Sequence, residues 1–310
     1  MQDRLLFSYA SHEDPLLRRL TIRAIEQVTG RPHLKRLYLA NQRRPRAGEG
    51  FWDAVVRQLA LEIEHDPARL AAIPKAGPLV VVANHPFGVL DGIVLSHLIA
   101  KVRPDFKVLT HNALYRAAEV QPFFLPIDFA ETPAATATNL RSRATALRWL
   151  AQGGALIVFP SGAVSTATTP FAREAVDCKW KPFAARAIIQ SRATVVPVFF
   201  GGQNSRLFQV ASHVSQTLRL SLLFHEVRNK MGRVVSVAIG APIAYAALAA
   251  IRDRHALSDH LRRVTYALAD GPEGTPLSPQ RPIRLRRRAR NLARAARSID
   301  LTLACADGGA

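Results

Sequence analysis

Cysteine is nearly absent: the 310 residues hold two, Cys178 and Cys305. They stand far apart, with no Cys-x-x-Cys or Cys/His ligand spacing. That excludes a disulfide framework and a zinc ribbon, and it makes a reducing cytoplasm the expected compartment. Long apolar runs are missing too, none approaching the ~20 residues of a spanning helix. The stretch Met1-Gln2-Asp3-Arg4-Leu5-Leu6-Phe7 meets Ser8 and Tyr9 too soon to hold a signal-peptide core. If the protein works at a membrane, it is expected to lie on it. Acids are scarce: 23 Asp and Glu against 42 Lys and Arg leave a net charge of +19. Such an excess predicts a polyanionic partner, either nucleic acid or an anionic membrane surface. Aromatics are only 7%, and most sit inside apolar runs. That argues against the exposed aromatic platforms of a single-strand binder, so no nucleic acid is expected.

The 48% of apolar residues is enough for a substantial core, and its pattern changes along the chain. Asp14-Pro15 reads as a helix start, with Leu16, Leu17, Leu20 and Val28 as the apolar face and Gly30 as the stop. A second short helix is expected over Leu34 to Ala40. A basic loop, Arg43-Arg44-Pro45-Arg46-Ala47-Gly48, precedes helical spacing from Phe51 to Glu64. From Pro78 short β-branched runs take over: Leu79 to Ala83, Phe106 to Thr110, Ala155 to Phe159, Thr194 to Phe200 and Val234 to Ile239. Helical stretches lie between them, notably Thr138 to Gln152 and Trp180 to Gln190. Alternation of this kind predicts an α/β fold with a mostly parallel sheet flanked by helices. The domain reading is a helical amino-terminal extension over 1–50, one domain over 51–270, and a linker and Arg-rich tail over 271–310. Within that tail Arg281 to Arg297 carries eight arginines and no acid. Leu285, Ala289, Leu292 and Ala296 would form a thin apolar stripe on a basic helix there, readable as a solvated tail or as a membrane-surface helix.

The chemistry concentrates in Asn84-His85-Pro86-Phe87-Gly88-Val89-Leu90-Asp91-Gly92. A buried strand runs into a Pro/Gly turn bearing His85, and the carboxyl end of a strand is where ligands bind in open α/β sheets. A turn through Pro86 and Gly88 lets Asp91 fold back toward the imidazole. A carboxylate there fixes the tautomer and raises the basicity of His85, which can then deprotonate a hydroxyl.

This segment resembles the first motif of the glycerolipid acyltransferases of the lysophosphatidate-acyltransferase type, and more specifically their hemolysin-like bacterial branch, which includes ornithine-lipid acyltransferases. Supporting blocks come in the family's order. Phe159-Pro160-Ser161-Gly162 stands where the family has Phe-Pro-Glu-Gly, then Lys181-Pro182-Phe183, then Val195-Val196-Pro197-Val198. Gly201-Gly202-Gln203-Asn204-Ser205-Arg206-Leu207-Phe208 is similar to a segment of the hemolysin-like branch. The resemblance spans roughly Phe51 to Ile243.

It implies direct acyl transfer, with His85 as general base and Asp91 as its orienting partner, and no metal, cofactor or covalent enzyme intermediate. The donor would be an acyl-carrier protein or coenzyme A thioester and the acceptor a lysolipid, at the cytoplasmic face of the inner membrane. Substrate contacts are expected from Asn84, Phe87, Gly88, Ser161, Gly162, Lys181, Asn204 and Arg206. Five of them also have a structural reading: Asn84 and Ser161 as turn residues, Lys181 as a solvated side chain, Asn204 and Arg206 as loop. Backbone amides near Gly88 or in Ser161-Gly162-Ala163 are the candidate oxyanion donors. His111 reads as a helix-start residue or a border of the cleft, and Phe123-Phe124-Leu125 as core or acyl groove.

The chain departs from the family pattern at three points. Five residues, not four, separate His85 from Asp91. Ser161 replaces the Glu of the third motif, and Ala163-Val164-Ser165 supplies none of its Arg. Leu125-Pro126-Ile127-Asp128 is followed by Phe129 where the second motif's Arg belongs. Loss of these cations disfavours a phosphomonoester acceptor and favours a lyso-aminolipid such as lyso-ornithine lipid. A catalytically inactive lipid-binding scaffold is the alternative, with a basic nucleic-acid-binding protein behind it.

Overall fold

The computed structural model describes residues 8–10, 15–43, 47–170, 172 and 174–270. Asp14, residues 44–46 of the basic loop, the linker, the Arg-rich tail and Cys305 lie outside the described residues. Along the chain, α1 (Leu16–Thr29) and α2 (Arg31–Arg43) lead into α3 (Phe51–Gln58), β1 (Glu62–Glu64) and α4 (Pro67–Ala71). Then come β2 (Leu79–Ala83), α5 (Val89–Ala100), β3 (Phe106–His111), β4 (Phe124–Ile127), α6 (Pro133–Ala151) and β5 (Ala155–Val158). A small ladder of β6 (Thr166–Ala167) and β7 (Ala175–Val176) precedes α7 (Phe183–Ser191) and β8 (Thr194–Phe200). The described chain closes with α8 (Arg206–Val214), α9 (Gln216–Ser221), α10 (Leu223–Asn229), β9 (Val234–Ile239), α11 (Tyr245–Leu248) and α12 (Arg254–Tyr266).

Seven strands form one sheet in the order β1-β9-β8-β2-β5-β3-β4. Every neighbouring pair is parallel except β8 with β9, as the alternating sequence pattern implies. The five residues of β2 are all buried because helices cover both faces. Leu79, Val81 and Ala83 join one core, with Trp52, Leu95 and Phe224. Val80 and Val82 join the other, with Leu150, Ile188 and Leu257. This period of two through a doubly covered sheet is why the strand reads as a continuous apolar run.

The amino-terminal helices pack onto this body rather than standing apart from it: α1 lies against α9 and α10, and α2 against α10 and α3. Here the structure reverses an expectation. Leu16, Leu17, Leu20 and Val28 do not face the core; they are between 52% and 80% exposed. α1 buries Ile22 and Glu26 instead. The orientation follows from Glu26, whose carboxylate accepts from Ser8 Oγ at 2.6 Å and from the Tyr9 amide at 2.8 Å. A buried carboxylate must be hydrogen-bonded, so these contacts outrank the leucines in setting which side faces inward.

Candidate active site

After Ala83 the chain turns through Asn84 to Gly88, and α5 begins. Gly88 sits at φ 80°, and a Cβ there would lie 3.0 Å from Leu223 Cδ2 and 3.1 Å from Val164 Cγ2; both the backbone and the space require glycine. The turn, not helical spacing, brings the dyad together. Asp91, in the first turn of α5, is fully buried. Its Oδ2 accepts from the amides of Phe87 at 2.8 Å and Gly88 at 2.9 Å and lies 3.0 Å from His85 Nδ1. This third approach is close without hydrogen-bond alignment; catalytic pairs commonly align once the reacting groups are in place. Burial raises the Asp91 carboxyl above its usual range, against the opposing pull of His85 and the two amides.

The His85 imidazole, 19% exposed, leans on Phe159 with ring centroids 4.2 Å apart. It faces a cavity of about 800 Å³ over the carboxyl ends of the strands, walled by apolar residues such as Leu34, Trp52, Val55, Phe124 and Leu223. The amino-terminal segment is part of this wall through Tyr9, Arg18, Leu37 and Tyr38.

A second buried carboxylate holds the backbone of the turn. Asp177 Oδ1 accepts from the His85 amide at 3.1 Å and from Ser165 Oγ at 2.6 Å, while Oδ2 accepts from Trp180 Nε1 at 2.9 Å. The Ser165 amide in turn donates to the His85 carbonyl at 2.8 Å, so both main-chain groups of His85 are fixed. The Asp177 amide donates to Tyr266 Oη at 2.8 Å, and burial beside this carboxylate pushes the Tyr266 hydroxyl up to about 12. Asp177 touches no reacting atom and is a positioning residue. Asp177→Ala is expected to lower kcat by about tenfold with KM little changed, and Asp177→Asn, which keeps an acceptor, should recover part of it. Steady-state kinetics on both variants checks this; equal losses in the two would contradict it.

A family model described as acyltransferase matches residues 45–273. The chain belongs to this acyltransferase family. It is 23% identical to the lyso-glycine lipid O-acyltransferase of Bacteroides thetaiotaomicron over 235 residues, 74% of this chain and 83% of that protein. A protein of the same description from Phocaeicola vulgatus is 23% identical over 207 residues, 64% of this chain and 71% of the relative. Among solved structures, the 1-acyl-sn-glycerophosphate (LPA) acyltransferase PlsC from Thermotoga maritima is similar with a TM-score of 0.43. That pair shares 16% identity and covers 82% of this chain and 95% of the other.

In this acyltransferase the cavity wall takes in His85, Gly88, Gly162 and Lys181, together with His111 and Phe124. His111 is both things the sequence allowed: its Nδ1 accepts from the Ala113 amide at 3.1 Å to start a 3₁₀ turn, and its ring borders the cavity. The other expected contacts are placed differently. Asn84 is buried, with Nδ2 donating to the Phe200 carbonyl at 3.0 Å and Oδ1 accepting from the Phe200 amide at 2.7 Å. It staples the end of β2 to the end of β8 and is outside the cavity wall. The Phe87 side chain is core, under the ammonium of the buried Lys230, 4.8 Å from its ring. Ser161 is buried and donates to the Ala163 carbonyl at 2.8 Å, the turn role of its two readings. Asn204 is buried away from the cavity, and Arg206 stands exposed at the start of α8.

Two oxyanion candidates are already engaged. The Gly88 amide binds Asp91, and the Gly162 amide donates to the Phe159 carbonyl at 3.0 Å. The Ala163 amide, at the cavity wall, makes only a long contact of 3.5 Å with Ser161 Oγ. Two cations of the cavity wall gave no sequence signal. Arg219 donates to the Val164 carbonyl, and Arg143 stacks 5.6 Å from the Phe183 ring.

Proposed function

We propose that this acyltransferase is a peripheral enzyme of the cytoplasmic face of the inner membrane. It moves a fatty acyl group from a carrier-protein or coenzyme A thioester to the hydroxyl of a lysolipid. The observation that carries the reading is the His85–Asp91 pair, closed to 3.0 Å at the floor of a largely apolar cavity. His85 Nε2 takes the acceptor proton as the oxygen attacks the thioester carbonyl. The new C–O bond gives a tetrahedral oxyanion, its collapse breaks the C–S bond, and the imidazolium gives the proton to the departing thiolate. Asp91 holds Nδ1 and stabilises the imidazolium. The Ala163 amide, loosely held at the cavity wall, is the donor assigned to the oxyanion.

An acceptor with an amino-acid head group is favoured because the two relatives are described as lyso-glycine lipid O-acyltransferases. Phe129 and the Ala163-Val164-Ser165 stretch supply no guanidinium, but Arg143 and Arg219 line the cavity and suit the carboxylate of such a head group. Lyso-ornithine lipid belongs to the same chemical class. Membrane contact is supported by the outward leucines of α1 and by Leu207, Val210 and Val214 on α8, all exposed. Both helices pack on α9, and Arg18, Arg23 and Arg206 are interspersed among these residues, the composition of an interfacial surface. Pro15, Arg18, Gln216 and Arg219 bring that surface to the cavity. No described helix is long and apolar enough to cross a membrane.

The test offers the pure protein palmitoyl-carrier protein and palmitoyl-coenzyme A. Acceptors are lyso-glycine lipid, lyso-ornithine lipid and lysophosphatidate in anionic vesicles, with products read by mass spectrometry. O-acylation of an aminolipid ahead of lysophosphatidate is the expected result. Acylation of lysophosphatidate alone would overturn the acceptor class, and no product from any pair would overturn acyl transfer to these lipids.

A further inference from the structure

A surface trough runs between α6 and α7 to the start of α12, with a volume of about 570 Å³. Its floor is apolar: Leu140, Ala144 and Leu147 line up at helical spacing on α6, facing Pro182 and Phe183. Leu140 is 61% exposed, a large apolar side chain left open to solvent. Four cations rim this floor: Arg143, Lys181, Arg186 and Arg254. All four are exposed, and none forms an ion pair with a carboxylate among the described residues. α6 and α7 contain no acid at all. The nearest acid in sequence, Asp253, is engaged in capping α12 through the Ala256 amide at 2.7 Å. Uncompensated charge of one sign around an apolar strip steers an oppositely charged protein and gives it something to bury.

The trough is continuous with the active site. Arg143, Lys181 and Phe183 line both it and the catalytic cavity, and Lys181 reaches over the turn so closely that a Cβ on Gly162 would lie 3.0 Å from its Nζ. The trough belongs to the helical layer of Leu150, Ile188 and Leu257. The outward leucines belong to α1, whose Ile22 packs in the opposite layer.

We infer that the trough is the docking site of the acyl donor in the form of an acidic acyl-carrier protein. A helix of that protein would lie along Leu140, Leu147 and Phe183 with its carboxylates on the four cations, and its thioester arm would enter the cavity past Lys181. The membrane then delivers the acceptor on one side of the sheet while the donor arrives on the other. This assignment rests on the acyl transfer proposed above. It favours the carrier protein over coenzyme A because the charges are spread over three helices and the loop before α7 around an open apolar strip, not gathered round a phosphate.

The double variant Arg186→Glu/Arg254→Glu tests it, since neither residue lines the catalytic cavity. Binding of immobilised palmitoyl-carrier protein is measured by interferometry, and kcat/KM is measured with palmitoyl-carrier protein and with palmitoyl-coenzyme A. Binding and kcat/KM for the carrier protein are expected to fall by about tenfold or more, with palmitoyl-coenzyme A turnover and thermal midpoint unchanged. The Arg186→Lys/Arg254→Lys variant should behave as wild type. Wild-type binding should weaken as salt rises. Undiminished carrier-protein binding by the charge-reversed variant would overturn the inference. So would an equal loss with palmitoyl-coenzyme A, which would assign the cations to nucleotide phosphates. If wild type binds the carrier protein in this charge-dependent way but transfers no acyl group, docking stands and the acyl-transfer reading falls. If it uses coenzyme A thioesters and ignores the carrier protein, docking falls and acyl transfer stands.

Discussion

Alanine at His85 is expected to cut acyl transfer by about 10²–10⁴-fold while leaving folding and vesicle binding as in the wild type. The size of the loss follows from how few groups could stand in. Among the described residues of the cavity wall the other imidazole is His111. Its Nδ1 is held by the Ala113 amide, and its ring is packed at 5.0 Å against Tyr9 and 5.4 Å against Phe129. Folding should survive because His85 is held through its main chain, by Asp177 and Ser165, and these contacts do not need the imidazole. The side chain gives up its contact with Phe159 and its 3.0 Å approach to Asp91, whose Oδ2 keeps the amides of Phe87 and Gly88. Turnover of the best donor and acceptor pair, measured beside the thermal midpoint and vesicle flotation, separates the enzyme from an inert lipid-binding scaffold. A scaffold has no turnover for the substitution to remove, and a variant as active as wild type would take His85 out of the mechanism.

How much of this could be seen beforehand differs from element to element. β2, β5 and β8 were legible because helices cover both faces and the runs are continuously apolar. β4 was not, because Pro126 interrupts it; the strand ends the sheet, where a missing amide is tolerated. β1 was hidden by its polarity, with two glutamates in three residues on the opposite edge. The dyad was legible because its parts are neighbours in sequence around a Pro/Gly turn. Asp177 was not, since the residue it holds lies 92 positions away and no local pattern marks it. The same limit explains α1: its leucines form a good apolar face by spacing, yet a buried carboxylate contacted from outside the helix decides which side turns in. Arg143, on an otherwise solvated face of α6, acquires meaning only when folding sets it beside Lys181 and Phe183.

Removing the charge of Asp91 while keeping its shape should separate catalysis from folding more sharply still. Two donors converge on Oδ2, the amides of Phe87 and Gly88, and His85 Nδ1 approaches it to 3.0 Å. An asparagine carbonyl in that place still accepts from the amides, so the turn is kept. It no longer supplies the negative charge that stabilises the imidazolium as His85 takes the proton. Asp91→Asn is therefore expected to lose about 10²-fold or more in kcat. Asp91→Ala would go further, leaving two buried amides without an acceptor at a cost of about 1–3 kcal/mol each and loosening the loop itself. Stability carries an independent signature. Burial raises the Asp91 pKa in the fold, so between the unfolded and folded values the native state holds a proton that the unfolded chain has released. Wild-type stability from this group is fully present below the unfolded pKa and is lost as pH rises through the folded one. Asparagine does not titrate and lacks that slope. The midpoint of Asp91→Asn relative to wild type should thus move in the variant's favour as pH rises above the ordinary carboxylate range of about 4, while its activity stays low throughout. A relative midpoint moving the opposite way would mean that the amides and His85 outweigh burial and hold the carboxylate below its ordinary range. Wild-type turnover in Asp91→Asn would mean that His85 works without a charged partner.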